Sequence, residues 1–126
     1  MDVRSGRDAL PVLWQAEWCP WSHRVRARLT ELGVEYVARQ VPVDRAERGA
    51  LVAATGSQTI PVLVLADGRV IAGSETILAH LDATLAEPPA AAAHRAKAEL
   101  EHRKHLEEEC GCAQPAADAT SLRRAS

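Results

Sequence analysis

Apolar residues in this chain come in short runs that alternate with stretches where they recur every three or four positions. The first run, "ALPVLWQAEW" from Ala9, predicts a buried strand ending near Ala16. From Pro20 onward, Val25, Leu29 and Leu32 fall at i, i+4 and i+7, the stripe of an amphipathic helix. Proline suits a first turn because its missing N–H has no helical partner there, and Gly33 supplies the stop. "VEYVARQVPV" predicts a second strand, and "DRAERGALVAATG" a second helix closed by Gly56. Two more β-rich runs flank Asp67–Gly68, a strong hairpin signal. Ser74 then offers an N-cap to a helix carrying Ile77, Leu78, Leu81 and Leu85 on one stripe. The order β-α-β-α-β-β-α predicts an α/β domain over residues 9–86. Its four-stranded mixed sheet would have the first two strands parallel and a closing hairpin.

The pattern changes after Pro88–Pro89. Residues 90–110 read as a charged helix, with Lys97 and Glu101 one turn apart. Its apolar face is thin, only Ala93, Ala96 and Leu100, so light docking is expected. Residues 111–126 lack both periodicity and bulk and predict a disordered tail.

Composition narrows the functional classes. Fifteen Lys and Arg against 17 Asp and Glu give a formal charge of −2, which offers no basic field for nucleic acid. No apolar run approaches the ~18 residues of a membrane-spanning helix. The N-terminus lacks a signal-peptide apolar region, so a cytoplasmic protein with reduced thiols is expected. Three cysteines (Cys19, Cys110 and Cys112) are too few for a disulfide framework, which leaves reactive chemistry as the better use.

Cys19 has the distinctive setting. In "WQAEWCPWSHRVRARL" it precedes Pro20 at a helix start, where unsatisfied N–H groups and the positive helix end converge. That end favours a thiolate by up to ~2 kcal/mol, and the thiolate is the nucleophile. Where a two-cysteine motif would carry its second thiol stands Ser22, whose hydroxyl is expected to donate to the sulfur; His23 or Arg24 would add positive charge. Ionisation raises the reactive fraction but lowers intrinsic nucleophilicity, so the two nearly cancel. What survives is a good leaving group, suited to turnover with a small thiol. The plainer alternative is a buried, inert cysteine.

"WCPWS", "TIP" at 59–61 and "GSET" at 73–76, in that order, resemble the glutaredoxins. They also look like the thioredoxin-fold N-terminal domains of omega-type glutathione transferases and dehydroascorbate reductases. The resemblance covers roughly residues 9–85 and implies a thioredoxin-like fold with a cis Pro61. It further implies glutathione paired to the backbone of Ile60, its γ-glutamyl end held by Ser74 and Glu75, and Trp21, Thr59 and Gln58 lining the groove. No basic residue precedes the TxP segment; Gln58 would take the glycyl carboxylate without charge, with Arg39 or Arg45 as compensating cations. Ala16 stands where many glutaredoxins have lysine, and Glu17 adds negative charge.

The activity so implied is monothiol reduction of glutathione mixed disulfides, including glutathionylated proteins, through Cys19 assisted by Ser22. Glutathione or another low-molecular-weight thiol would be the co-substrate. Dehydroascorbate reduction is an enzymatic alternative using the same residues. A [2Fe–2S] carrier ligated by Cys19 thiolates and glutathione is another, as is a redox-sensing module without turnover. The second domain of a complete transferase is not expected, because only 41 residues follow Leu85. His102, His105, Cys110 and Cys112 raise the question of a metal site, but their spacing matches no strong template and none is expected. A resolving role for Cys110 or Cys112 stays open.

Overall fold

The computed structural model describes residues 9–108. Its elements are β1 (Val12–Gln15), α1 (Pro20–Glu31), β2 (Val37–Gln40), α2 (Gly49–Thr55), β3 (Val62–Val64), β4 (Val70–Ala72), α3 (Ser74–Thr84) and α4 (Ala90–Glu108). The sheet order is β2-β1-β3-β4. β1 and β2 run parallel, joined by the α1 crossover, while β3 is antiparallel to both β1 and β4. The chain thus adopts the α/β thioredoxin-like fold expected of it, with a four-stranded mixed sheet.

Period-two alternation splits the sheet residues between two faces. Leu13 and Leu63, paired across β1 and β3, sit beneath α1 and α3 with Val25, Leu29, Ile77 and Leu81. Trp14 and Val62, the next pair along, sit on the opposite face with Leu51 of α2. Every one of these side chains is buried. The α1 stripe is therefore core, and of the α3 stripe Ile77 and Leu81 are buried, whereas Leu85 ends the helix exposed.

Two local expectations change. The second helix is not continuous: Arg45–Glu47 forms a 3₁₀ turn capped by Asp44, and α2 begins only at Gly49. Between them Arg48 leaves helical geometry (φ −89°, ψ 45°) and its side chain turns inward. The N-cap of α3 is Gly73 rather than Ser74, which becomes the first helical residue. Gly73 takes φ +94°, open to glycine but costly to other residues, and its carbonyl accepts from the Ile77 N–H at 2.9 Å.

α4 docks differently from its sequence pattern. Ala93, Ala96 and Leu100 are exposed, and Ala91 is the helix's one buried residue among those described. Ion pairs do the rest. Arg28 of α1 donates to Glu31, Asp82 and Glu87, and Arg95 of α4 donates to Glu31 and Glu87. Lys97 pairs with Glu101 at 2.7 Å, as the one-turn spacing predicts.

Hydrogen bonds from Arg95 and Arg28 hold the Glu87 carboxyl down at about 2, against its ordinary 4.5. A depressed carboxyl contributes its stability fully above the unfolded value and loses it as pH falls through the folded one. Amide protection factors in α4 should therefore hold steady down to about pH 4.5, then fall as pH approaches 2. Hydrogen exchange on wild type and Glu87→Gln checks this: the variant should start with lower α4 protection and show a flatter acid limb. Identical limbs would mean that Glu87 does not tie α4 down.

Candidate functional site

Strand register gathers the site at one end of the sheet. Trp14 pairs with Val62 and Val62 with Ala72, so the residues just beyond β1, before β3 and after β4 converge there. These are Cys19, Ile60–Pro61 and Gly73–Ser74. The Gly73 N–H donates to the Pro61 carbonyl at 3.0 Å, fixing the last two segments together. The Ile60–Pro61 peptide is cis.

Cys19 is the N-cap of α1, folded into place by its own N–H donating to the Ala16 carbonyl at 3.1 Å. The side chain is 5% exposed. Its Sγ accepts from the Ser22 backbone N–H at 3.4 Å. The expected hydroxyl contact is not made: Ser22 is fully buried and its Oγ has no hydrogen-bond partner. The helix backbone, rather than the serine side chain, thus meets the sulfur, because an N-cap side chain faces the first free N–H groups. The flanking Trp18 and Trp21 are more than half exposed.

Two adjoining clefts share Trp21 and Ile60. One, of about 440 Å³, is lined by Trp21, Ile60, Pro61, Gly73, Ser74, Glu75 and Thr76. It brings together most of the residues that the sequence singled out. The other, of about 290 Å³, holds Cys19 between Trp18 and Trp21, with Val43, Arg45, Arg48, Thr59 and Ile60.

Several assignments shift. The Gln58 side chain is exposed and lines neither cleft; its backbone carbonyl instead accepts from Arg48. Thr59 bonds with Ser57, hydroxyl to hydroxyl at 3.2 Å. Arg39 stacks its guanidinium 5.2 Å from the centre of the Trp14 ring, and of the two expected cations only Arg45 lines the Cys19 cleft. His23 opens onto a separate cleft between α1 and α4, with His94 and Tyr36, and Arg24 is exposed. Glu17 is drawn to Arg26, which also donates to the buried Gln15.

Arg48 is the residue that sequence reasoning missed. It is 5% exposed, and its guanidinium donates to the carbonyls of Pro42 at 2.8 Å, Gln58 at 2.8 Å and Val43 at 3.1 Å. It ties the loop after β2 to the segment leading into Ile60. Nothing in the local pattern of "DRAERG" separates it from its exposed neighbours.

Residues 18–84, more than half of the chain, match the family described as glutathione S-transferase, N-terminal domain. The chain belongs to this family. Solved structures agree with the fold. A glutathione S-transferase domain-containing protein from Marinobacter aquaeolei VT8 is 30% identical, with a TM-score of 0.52 over 61% of this chain and 40% of that one. Rice GST1, solved in complex with glutathione, is 27% identical, with a TM-score of 0.53 over 82% of this chain and 48% of that one. A trimeric glutathione transferase of Leishmania, TDR1, shares the fold at 20% identity, with a TM-score of 0.58 over 69% of this chain and 20% of that one. The chain spans less than half of the length of each of these three. No curated protein matches its sequence.

Among the described residues of this family domain, no group of three or more His, Cys, Asp or Glu gathers where it could hold a metal ion. Cys110 and Cys112 lie outside the described residues. No described helix is long and apolar enough to cross a membrane.

A buried hydroxyl without a partner keeps a desolvation cost of about 1–3 kcal/mol. Ser22→Ala should therefore raise the unfolding free energy by about 1 kcal/mol in urea titration. A loss of similar size would mean that the hydroxyl has a partner after all.

Proposed function

We propose that this domain binds glutathione across the two clefts and that Cys19 reduces glutathione mixed disulfides by a monothiol route. The convergence of Cys19, the Ile60 backbone and the start of α3 on one groove is the observation that carries the reading. The family match and the glutathione-bound rice structure support glutathione as the thiol.

In this reading an extended tripeptide lies along Ile60 as a strand added to a sheet edge. The N–H groups at the start of α3, around Ser74, receive its α-carboxylate, and the Glu75 carboxylate receives its ammonium. Pro61 and Trp21 wall the groove, and Thr59 and Arg45 flank the glycyl end. Gln58 acts through its carbonyl, as the anchor for Arg48. The Cys19 thiolate attacks the glutathione sulfur of a mixed disulfide. The new bond joins Cys19 to glutathione, and the other thiol leaves as a thiolate that takes a proton from solvent. A second glutathione thiolate then attacks the glutathione sulfur of that adduct, releasing glutathione disulfide and restoring the Cys19 thiolate. The net reaction converts one mixed disulfide and one glutathione into one free thiol and one glutathione disulfide.

In the last step the free N–H groups at the α1 N-terminus meet the departing Cys19 sulfur. Ser22 serves this step through its backbone N–H.

Steady-state reduction of a glutathione mixed disulfide, coupled to glutathione reductase and NADPH, tests the reading. Wild type should turn over and Cys19→Ser should not. Glu75→Gln, losing a charge-assisted contact, should raise the KM for glutathione about tenfold with kcat little changed. Absence of turnover in wild type would sink the glutathione-dependent mechanism.

A further inference from the structure

The turn that presents Cys19 is gripped by a side chain of the helix that it starts. Arg26 lies about two turns into α1 and on the same side of the helix as Cys19. Long helical side chains lean toward the helix N-terminus, so its guanidinium reaches back to the residues before Cys19. There it meets three consecutive residues. One nitrogen donates to the Gln15 side-chain oxygen and to the Ala16 carbonyl at 3.5 Å, and another donates to the Glu17 carboxylate at 3.2 Å. The Ala16 carbonyl also accepts from the Cys19 N–H at 3.1 Å, so Arg26 and Cys19 share one acceptor. Gln15 is 2% exposed, and its amide donates to Gln40 of β2 at 3.2 Å. The turn is thereby tied on one side to the sheet and on the other to α1. What it presents is a contact of 3.4 Å between the Ser22 N–H and the Cys19 sulfur, and hydrogen bonds weaken steeply once misaligned.

We propose that Arg26 is a positioning residue for Cys19: its guanidinium fixes the turn at residues 15–17, which keeps the sulfur on the first free N–H group of α1. Its hydrogen bonds go to the turn and not to the sulfur, so it acts through the Ala16 carbonyl. The planar fork of a guanidinium can span neighbouring acceptors, which a single ammonium cannot. Cys19 needs the same alignment as attacking group and as departing group. Loss of Arg26 therefore falls on the chemical steps and not on glutathione binding at Ile60, Ser74 and Glu75. The inference rests on Cys19 being the reactive group of the proposed function. It does not require that the physiological thiol be glutathione.

The test follows the Ser22 backbone amide of the isotope-labelled full chain by NMR, with no thiol substrate present. Cys19→Ala supplies the Ser22 resonance of an N–H without a sulfur acceptor. Arg26→Met should move the Ser22 resonance half-way or further toward that position, while the core residues Val25 and Leu29 keep theirs. Arg26→Lys should move it in the same direction, because an ammonium keeps the charge and loses the fork. A role in stability alone would lower the urea midpoint and leave the folded-state Ser22 resonance in place. A folded Arg26→Met protein with Ser22 at its wild-type position therefore overturns the proposal. So does an Arg26→Lys protein that matches wild type, since charge alone would then suffice. Should Arg26→Met fail to fold, Arg26→Lys decides by the same comparison. In mixed-disulfide reduction, Arg26→Met should lower kcat about tenfold and keep the KM for glutathione within about twofold of wild type. A raised KM with unchanged kcat also rejects the positioning role. Absence of turnover in wild type would sink the glutathione reading, while the Ser22 resonance would still decide this one.

Discussion

The site depends on β3 being paired on both edges. Its antiparallel ladders to β1 and β4 put three chain reversals at one end of the sheet. Cys19 follows the first strand, Pro61 precedes the third and Gly73 follows the fourth. A register slip of one residue would turn Leu63 toward α2 and Val62 toward α1 and α3, so the two buried faces hold the register in place. The same apolar packing that stabilises the fold therefore sets the geometry around the cysteine.

Charge is then distributed on that frame. The backbone of α1 meets the sulfur, a glutamate stands at the start of α3, and a buried arginine sits behind the cleft that holds Cys19. The three act at different ranges. The helix end contributes only within its first turn, whereas the Arg48 guanidinium is held by three backbone carbonyls. Arg48 also links fold to site, since it holds the loop after β2 against the segment that presents Ile60.

Beyond the domain, α4 is held more by ion pairs than by a core. One buried alanine and the Arg28–Glu31–Glu87–Arg95 network join it to α1. Such a contact responds to salt and acid in a way that the sheet does not. Both apolar core clusters are drawn from residues 12–81, ahead of α4.

The sequence by itself determined the element order, the parallel first pair, the closing hairpin and Cys19 as a helix cap, while "TIP" and "GSET" carried a family resemblance. Each is written in local signals: periodicity, a proline after a cap, a turn dipeptide, or a motif at recognisable spacing. Tertiary structure decided the rest. Gly73 replaces Ser74 as the cap because a positive φ is needed where the chain leaves β4 for α3. The Ser22 hydroxyl misses the sulfur because packing, not spacing along the helix, aims it. Arg39 goes to Trp14 and Gln58 to solvent, while Arg48, one arginine among several, turns inward to three carbonyls far from it along the backbone or across a loop. Direction of a long polar side chain depends on which acceptors the folded chain brings within reach, and no local pattern records them.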